Sequence, residues 1–428
     1  RKQVLKIYFD KKDYPNLHKK YTSNNKQSIK DAKVLKNAYI TNAGPYSIIN
    51  DIYKVDAGVY SEDKKLYLES TQYDNELSLK PLGGGIEFIN QKVIYGGVLS
   101  PHYGHFLIES TVRLYYYLQH RNDDTYIVFS KLVNYIPQFV KDFFELLNIP
   151  DDKIIYIDKI TQFSQVIVPY KSFTRSYYTN EFSVPFIEAS KNIKPAQYQK
   201  IFFSRKDWNG VAKCLGENNL EKIFNKNGFK SIAMEKLSLR QQIAVIKGAN
   251  VIAGINGTSF HNILFSASPK TLIMLNRNEE TDCQYIINQA TNADCYLIKA
   301  YKNILPVNHA HGPFIVGVTP EFKQFAQEYG LNCYNINFNQ QKYLKKFWEL
   351  FSETYSQNNY YQELVINNKN LVDVKLVFEL LNKCNYSKTK LILYYILSKI
   401  TFGKLHKLFK SKYKNMHHIK KQKMEFNY

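Results

Sequence analysis

Short apolar strands alternate with helices through the middle of the chain, and this alternation constrains the fold more than any other feature. The elements that it predicts are strands at 201–205, 251–253 and 271–275, helices at 217–227 and 239–247, and a helix start at 260–266. Such alternation is typical of a parallel sheet covered by helices. Because ligands of these sheets lie beyond the carboxyl ends of the strands, Ser204, Arg205 and the turn at 254–259 are expected on one rim.

The segment GANVIAGINGTSFHNILF, from Gly248 to Phe265, predicts a buried strand, a tight glycine turn and a helix start in succession. Gly254 and Gly257 free the turn of Cβ clashes, and Thr258 and Ser259 are the predicted caps of the helix. Free amides and the positive end of a helix would hold a phosphate there. A simple strand-to-helix corner is the alternative, because the segment lacks a Walker lysine and a full GxGxxG spacing.

A second α/β pattern precedes residue 192. Its predicted elements are a strand pair at 86–99, a helix at 103–120, a strand at 126–130, a helix at 136–147, and strands at 154–157 and 166–169. The polar segment 192–200 separates the two patterns, and the 428 residues of the chain exceed the usual size of one core. The predicted units are a first domain at 1–193, a second at 194–337 and a helical extension at 338–428.

Composition narrows the function classes. The net charge of +21 indicates a negatively charged partner, such as a nucleoside diphosphate, anionic lipid, an acidic glycan or nucleic acid. The five cysteines are scattered and form no CxxC pair, which argues against a disulfide framework or a zinc site and favours a reducing cytoplasm. The aspartate pairs at 123–124 and 151–152 lie in polar turns, so no metal site is expected.

The C-terminal tail is strongly basic, with twelve lysines after Asn382 and Glu425 as its only acidic residue. Its longest apolar stretch, Leu391 to Ile400, is about half of the roughly 20 residues that a membrane span needs. Two interpretations stay open: a basic amphipathic surface that docks on anionic lipid, or core helices with a solvated face. The apolar residues in question are Leu391, Tyr394, Tyr395, Leu397, Leu405, Leu408 and Phe409.

The motif SPHYGHFLIES, from residue 100 to 110, contains two histidines and a glutamate at a predicted strand-to-helix junction. His105 and Glu109 are four residues apart and share a helical face. A carboxylate beside an imidazole is the usual arrangement of a general base. A structural histidine, or a Glu109 pair with Arg113 one turn further on, is the alternative.

The motif FFSRK ends a predicted strand with a cation. The planar guanidinium of Arg205 could donate two parallel hydrogen bonds to phosphate oxygens, a geometry that the Lys206 ammonium lacks. An exposed salt bridge on the rim is the alternative. Trp208 could stack on a base or a sugar, although ordinary packing explains a single tryptophan equally well.

Three motifs in this order, HYGHFLIESTVRL, FFSRK and LSLRQQIAVIKGANVIAGINGTSFHNILF, resemble glycosyltransferase family 61. The resemblance implies a GT-B fold, with two Rossmann-like domains facing each other across a cleft, inverting transfer from a nucleotide sugar, and no bound metal. Many members have histidine where this chain has Asn256, and only Gly216-Glu217 represents the asparagine–glutamate pair expected after the arginine. The residues that the resemblance marks are His105, Glu109, Arg113, Ser204, Arg205, Gln242, Gly254, Gly257, Ser259, Asn262 and Phe265.

The resemblance, together with these motifs, implies an inverting, metal-independent glycosyltransferase of bacterial capsule or lipopolysaccharide synthesis. It would transfer a sugar from a nucleotide-sugar donor to a glycan or lipid-linked glycan, and a UDP-sugar is the favoured donor. We expect it in the cytoplasm or at the inner face of the membrane, and we expect it to need no cofactor. His105 is the predicted base, Glu109 its orienting partner, and His102 and Arg113 the predicted acceptor contacts. The predicted donor-binding residues are Ser204, Arg205, Gln242, Gly254, Asn256, Gly257, Thr258, Ser259 and Asn262.

Two other function classes compete with this prediction. A noncatalytic nucleotide-sugar or glycan-binding scaffold would bind donor without turning it over. A nucleic-acid-binding protein would use the lysine-rich tail with aromatic side chains as stacking platforms, but the sequence contains no recognisable RNA or DNA motif.

Overall fold

A computed structural model gives the fold of the chain. It describes residues 3–44, 47–49, 52–72, 86–208, 210, 212–278, 283–308, 310–333 and 339–355, and single positions and short stretches between 372 and 416. The glycines at 83–85, and Leu391 and Leu405 of the tail, lie outside the described residues.

Strands occur in both halves of the chain. They are β1 (Leu5–Tyr8), β2 (Lys33–Ile40), β3 (Ser47–Ile49), β4 (Ile52–Lys54), β5 (Val59–Tyr60), β6 (Leu66–Tyr67), β7 (Glu87–Leu99), β8 (Tyr126–Lys131), β9 (Ile154–Ile157), β10 (Thr161–Val168), β11 (Lys200–Phe203), β12 (Cys214–Leu215), β13 (Lys230–Ile232), β14 (Val251–Ile255), β15 (Thr271–Asn276), β16 (Asp294–Lys299) and β17 (Phe314–Ile315).

Helices alternate with these strands. They are α1 (Tyr14–Thr22), α2 (Tyr103–His105), α3 (Leu114–His120), α4 (Gln138–Leu146), α5 (Val184–Ser190), α6 (Glu217–Lys226), α7 (Leu239–Gly248), α8 (Gln284–Ala290), α9 (Pro320–Tyr329) and α10 (Leu344–Tyr355). A π-helix at Phe106–Ser110 and a 3-10 helix at Thr258–Phe265 lie in the two motifs of interest.

The predicted parallel sheet is confirmed. Six strands form it in the order β1-β16-β15-β14-β11-β13, and every neighbouring pair is parallel. Helix α7 begins with a capping box, in which Ser238 accepts from the Gln241 amide and the Gln241 side chain accepts from the Ser238 amide. The strand at 251–253 and the helices at 217–227 and 239–247 occur as predicted, within one or two residues at each end.

A second sheet has seven strands in the order β6-β5-β2-β10-β7-β8-β9. Strands β10, β7, β8 and β9 are parallel neighbours, whereas β2, β5 and β6 extend the sheet in antiparallel fashion. The sheet is therefore mixed. The chain's first strand, β1, lies in the other sheet, beside β16.

The predicted strand pair at 86–99 is wrong, because β7 is one continuous strand of 13 residues. Its two glycines form a bulge against β8 between Tyr95 and Gly97 and do not form a hairpin turn. Gly97 has a φ of 108°, and Gly96 lies so close to the Phe129 ring that a Cβ would overlap it. Glycine is required here for a bend and a close approach inside a strand.

The predicted continuous helix at 103–120 is also wrong. Helix α2 passes into the π-helix Phe106–Ser110, the chain turns at 111–113, and α3 follows. Hydroxyl groups compete with the helical ladder at this point: Ser110 donates to the Val98 carbonyl at 2.8 Å, and Thr111 donates to the Leu107 carbonyl at 2.7 Å. These two hydrogen bonds stabilise the turn at 111–113, where the helix is interrupted.

Aromatic side chains pack where the two sheets' helices meet. The ring centroid of Phe265, in the 3-10 helix after β14, lies 5.9 Å from that of Phe143 on α4 and 5.4 Å from that of Phe186 on α5. One buried apolar cluster contains these residues together with Phe129 of β8 and Leu272 of β15. The glycine turn is thus held by apolar contacts from both halves of the chain.

The opposite face of the parallel sheet is covered by α6, α9 and α10, which bury Phe224, Phe322 and Trp348. Leu397 and Phe409 of the tail are buried in this same cluster, while Leu408 is 43% exposed. In the part of the chain that the structure describes, no helix has both the length and the apolar character that crossing a membrane requires.

Candidate functional site

The carboxyl ends of three neighbouring strands form the rim of the parallel sheet. Strands β11, β14 and β15 end at Phe203, Ile255 and Asn276, and the next residues along the chain are polar or glycine. Because parallel strands end at a common edge, Ser204, Arg205, Asn256 and Gly257 come together as predicted. Arg277, which follows β15, lies at the same edge.

The glycine turn brings two arginines to one point. Gly257 has extended backbone, and a Cβ built on it would lie 3.6 Å from Nη1 of Arg205 and 3.9 Å from Nη1 of Arg277. Gly254, three residues earlier and within β14, lies against β11, where a Cβ would come within 2.9 Å of Phe203 Cβ. Arg277 was not singled out from the sequence, because a lone arginine after a strand carries no motif.

The helix that follows the turn differs from the prediction. It is a 3-10 helix that begins at Thr258, and neither Thr258 nor Ser259 caps it through a side chain. The first hydrogen bond runs from the Phe260 amide to the Gly257 carbonyl at 3.0 Å, so the Thr258 and Ser259 amides precede the helical ladder. The predicted side-chain caps are wrong, but the amides that could bind an anion are at the rim, where Thr258 is exposed.

The main chain of Arg205 is anchored by a hydrogen bond. Its amide donates to Oε1 of Glu217 at 2.6 Å, and its guanidinium lies 5.7 Å from the Trp208 ring centroid. Glu217 is buried at the start of α6, and this desolvation raises the pKa of its carboxyl from 4.5 to about 7. A buried acid therefore fixes the main chain of the arginine motif.

Two buried asparagine side chains lie beneath the turn. Nδ2 of Asn256 donates to Oδ1 of Asn276 at 3.3 Å, and the two residues are 7% and 1% exposed. Among the described residues, Oδ1 of Asn256 and Nδ2 of Asn276 have no hydrogen-bond partner. Buried polar groups usually have such a partner, so these two atoms point to a ligand that would supply one.

Three predicted donor-binding residues have hydrogen bonds within the protein. Gln242 donates to the Leu237 carbonyl at 3.1 Å, and the amide of the buried Ser204 donates to the Ile232 carbonyl at 2.9 Å. Asn262 is 1% exposed, donates to the Ser259 carbonyl at 3.1 Å, and accepts from the Tyr103 hydroxyl. The side chains of Gln242 and Asn262 and the backbone of Ser204 are thus bonded within the protein, and donor binding by these residues stays a prediction.

The histidine motif lies directly against the glycine turn. Gly104 of α2 is so close to Thr258 that a Cβ would lie 3.0 Å from Thr258 Cβ. The Tyr103–Asn262 hydrogen bond joins the same two segments. His102 and His105, on either side of this contact, are thus brought beside the predicted phosphate site.

The predicted His105–Glu109 pair forms. Nδ1 of His105 lies 3.0 Å from Oε2 of Glu109, across the junction of α2 and the π-helix. A carboxylate only accepts, so Nδ1 carries the proton and Nε2 is the unprotonated nitrogen of the neutral ring. The His105 side chain is 32% exposed and the Glu109 side chain 8%. π-Helical segments occur often at functional sites.

Glu109 has two further partners that sequence reasoning missed. Arg175 Nη2 lies 3.3 Å from Oε1, and Gln72 donates to Oε2 at 3.0 Å. Although burial opposes ionisation, the contacts with His105, Arg175 and Gln72 outweigh it, and the pKa of Glu109 is lowered. The carboxylate is therefore charged beside His105. Arg175 is 66 residues away in sequence, so no local pattern could link them.

His102 is the second histidine of the motif. Its ring lies edge-on to that of His105, with centroids 5.1 Å apart. Desolvation and the neighbouring His105 and His261 lower the pKa of His102, so its neutral form is favoured. The structure thus offers a neutral histidine beside a histidine–carboxylate pair.

Arg113 lies away from the rim. It is 1% exposed, donates to the carbonyls of Pro169 at 3.0 Å and Glu69 at 2.7 Å, and lies 5.4 Å from the Tyr95 ring centroid. A guanidinium enclosed in this way holds loops together, and its position does not support the predicted acceptor contact. The alternative pair with Glu109 is replaced by the Arg175 pair.

A cavity of about 200 Å³ opens on the side of Glu109 that faces Arg175. Its walls combine apolar groups with cationic and hydroxyl groups, and Lys171 within it is 5% exposed. The lining residues are Gln72, Ile108, Glu109, Val112, Lys171, Phe173, Thr174, Arg175 and Ser176. In the residues that the structure describes, no three His, Cys, Asp or Glu side chains come together as metal ligands would.

Comparison with protein families gives one match. A family model described as Glycosyltransferase 61 matches residues 103–274, a range that includes the His105–Glu109 pair, the arginine motif and the glycine turn. No curated protein matches the chain. Residues 103–274 are therefore similar to glycosyltransferase family 61, and this match supports a glycosyltransferase activity.

Proposed function

We propose that this glycosyltransferase transfers a sugar from a nucleotide-sugar donor to a glycan acceptor, with inversion at the anomeric carbon and without a metal ion. A UDP-sugar is the favoured donor. The observation that carries the proposal is the packing of Gly104 against Thr258, because it joins the His105–Glu109 pair to the glycine turn. A proton acceptor and an anion site are then neighbours. That is what a displacement with an anionic leaving group needs.

The donor diphosphate would lie on the rim of the parallel sheet. The amides of Thr258 and Ser259 and the guanidinium of Arg205 would bind its oxygens. Gly257 supports this role because any side chain there would point toward Arg205. Cations and amides of this kind stabilise the charge that develops on a leaving nucleotide, without a divalent ion.

In the proposed reaction, Nε2 of His105 takes the proton of the acceptor hydroxyl. The hydroxyl oxygen attacks the anomeric carbon from the face opposite the phosphate, and the bond between that carbon and the phosphate oxygen breaks. The nucleoside diphosphate leaves with the bonding electrons, so the configuration at the sugar inverts. Glu109, held by Arg175 and Gln72, orients the ring and stabilises the imidazolium.

We further propose that the acceptor belongs to a bacterial surface polysaccharide, either capsule or lipopolysaccharide, and that the chain acts at the inner face of the membrane. The resemblance of the three motifs and the basic tail support this. Docking through the tail would use its exposed part, since Leu397 and Phe409 are buried. Binding to anionic vesicles should then weaken as salt is raised and vanish when residues after Asn382 are deleted.

The first experiment measures thermal shifts of the purified full chain with UDP-, GDP- and CMP-sugars, followed by release of nucleotide from the donor that binds. We expect one donor class to raise Tm and to be turned over. His105→Ala should abolish turnover, whereas His120→Ala, at the exposed end of α3, should not. Binding without turnover would favour the noncatalytic scaffold, and no shift with any donor would contradict the proposal.

A further inference from the structure

Arg277 is an arginine at the rim that no motif marks. It follows the last residue of β15, and β15 is the direct neighbour of β14, whose glycine turn forms the proposed phosphate site. A Cβ at Gly257 would lie 3.9 Å from its Nη1 and 3.6 Å from that of Arg205. The two guanidinium nitrogens are therefore no more than about 7.5 Å apart, and both lie within 4 Å of the position that a Cβ at Gly257 would take.

This separation suits a diphosphate. Hydrogen bonds from a guanidinium to phosphate oxygens are about 2.8 Å long, so each of two linked phosphates can accept from one of two guanidinium groups held this far apart. Gly257 places no side chain beside the two guanidinium groups, and the Thr258 and Ser259 amides follow it directly. Two guanidinium groups and two backbone amides thus lie at one position.

Arg277 is held in place by its surroundings. Its guanidinium lies 4.8 Å from the ring centroid of the buried Phe314, and Nδ2 of Asn303 donates to its carbonyl at 2.9 Å. Stacking and backbone anchoring restrict the side chain before any ligand arrives. A pre-positioned guanidinium loses less conformational entropy on binding than a free surface arginine does.

The asparagine pair beneath the turn supplies an independent observation. Asn256 and Asn276 immediately precede Gly257 and Arg277, and both are at least nine-tenths buried. Among the described residues, Oδ1 of Asn256 and Nδ2 of Asn276 have no hydrogen-bond partner. An incomplete polar network next to both cationic positions indicates that a polar ligand completes it.

From these observations we infer that Arg277 is a second phosphate-binding residue, which with Arg205 selects nucleoside diphosphate donors over nucleoside monophosphate donors. The inference rests on the proposed function and names a further residue of the same site. Two guanidinium groups match the two phosphates of the leaving group. A monophosphate donor leaves one of them without an anion.

The test compares the affinities of UDP, UMP and inorganic pyrophosphate by calorimetry, for the full chain and its variants. Arg277→Met keeps an aliphatic side chain over Phe314 while removing the charge, and Arg277→Lys restores the charge without the fork. The matched control is Arg240→Met, because Arg240 is exposed on α7 and its loss changes the net charge equally.

We expect Arg277→Met to weaken UDP and pyrophosphate binding about 10- to 100-fold, as for loss of a charged hydrogen bond. UMP affinity should change less than UDP affinity, Arg277→Lys should recover part of the loss, and Arg240→Met should match the wild type. Wild-type binding of UDP with no loss in folded Arg277→Met or Arg277→Lys would overturn the inference and leave the proposed function intact. Absence of nucleotide binding by the wild type would overturn both.

Discussion

Gly104 and Thr258 are in direct contact, and the contact exists only because residue 104 has no side chain. A Cβ at position 104 would lie 3.0 Å from Thr258 Cβ and closer still to its methyl group. The contact joins α2, which carries His105, to the turn that would hold the donor diphosphate. In the proposed reaction, the distance between His105 and the leaving group would therefore depend on this pair.

Gly104→Ala should separate the two segments. The obstructing group is a branched side chain on a short helix packed by Phe260 and Phe265, so it has little room to yield. We expect a loss of about 1–3 kcal/mol in stability, as for overpacking elsewhere, seen as a lower Tm. Turnover should fall by a larger factor than donor affinity, because the donor turn itself keeps its amides.

The control for this variant is Gly44→Ala, since a Cβ at Gly44 would meet Asp56 Cβ at 3.4 Å, an ordinary contact. Adding Thr258→Ser to Gly104→Ala removes the nearest methyl group and should recover part of both losses. Wild-type Tm and turnover in Gly104→Ala would show that the close approach is not needed.

Glu109→Gln should lower turnover by about 10²- to 10³-fold, because the glutamine keeps the shape but loses the charge that stabilises the imidazolium. Donor affinity should stay within a factor of about two, since Glu109 is not at the rim. The contacts that lower the pKa of Glu109 keep it ionised through neutral pH, so an acid loss of rate above pH 5 belongs to another group. Steady-state rates from pH 5 to 9 test this.

Glu188→Gln is the matched control, because Glu188 pairs with Lys191 on the surface of α5. It should leave turnover unchanged. Equal rates for Glu109→Gln and the wild type would exclude the carboxylate from the reaction and favour His102 as the base to examine next.

The parallel sheet and the glycine turn were predictable because their signals are local. The structure of the apolar strand 251–255, of Gly254 within it and of Gly257 after it is encoded within a few neighbouring residues. The His105–Glu109 pair is local too, since four residues span one helical turn. The local pattern wrongly predicts a continuous helix after the π-helix. There the hydroxyl groups of Ser110 and Thr111 donate hydrogen bonds to backbone carbonyls, and a hydrophobic periodicity does not reveal these bonds.

The rest of the candidate site depends on contacts between distant parts of the chain. Arg175 meets Glu109 across 66 residues, and Arg277 meets the glycine turn only because β15 is the neighbour of β14. Strand order and loop closure decide such contacts. Arg113 shows the converse, because a residue within a functional motif is enclosed by carbonyls from loops that sequence reasoning did not place.

Arg113→Met should destabilise the fold without changing donor affinity. Its loss leaves the carbonyl of the buried Pro169 and the carbonyl of Glu69 without this donor, which costs about 2–4 kcal/mol. Chemical denaturation should show this loss, while the protein that stays folded binds donor as the wild type does.

By contrast, Arg175→Met should lower turnover with a smaller change in stability, because the Arg175 side chain is 49% exposed. Reversed effects would restore an acceptor role for Arg113.

Glu217→Gln should change how stability varies with pH. Burial raises the pKa of Glu217 to about 7, above its ordinary 4.5, so between these values the folded state binds the extra proton. The stability that the neutral carboxyl contributes is complete below about pH 4.5 and is lost as pH rises through 7. A neutral glutamine still accepts from the Arg205 amide and avoids that loss, which by pH 8 amounts to about 3 kcal/mol.

The Tm of Glu217→Gln, measured from pH 5 to 8, should therefore rise relative to the wild type across this range. Glu145→Gln, exposed on α4, should differ from the wild type by the same small amount at every pH. A constant difference for Glu217→Gln as well would mean that Glu217 is ionised in the folded protein throughout this range.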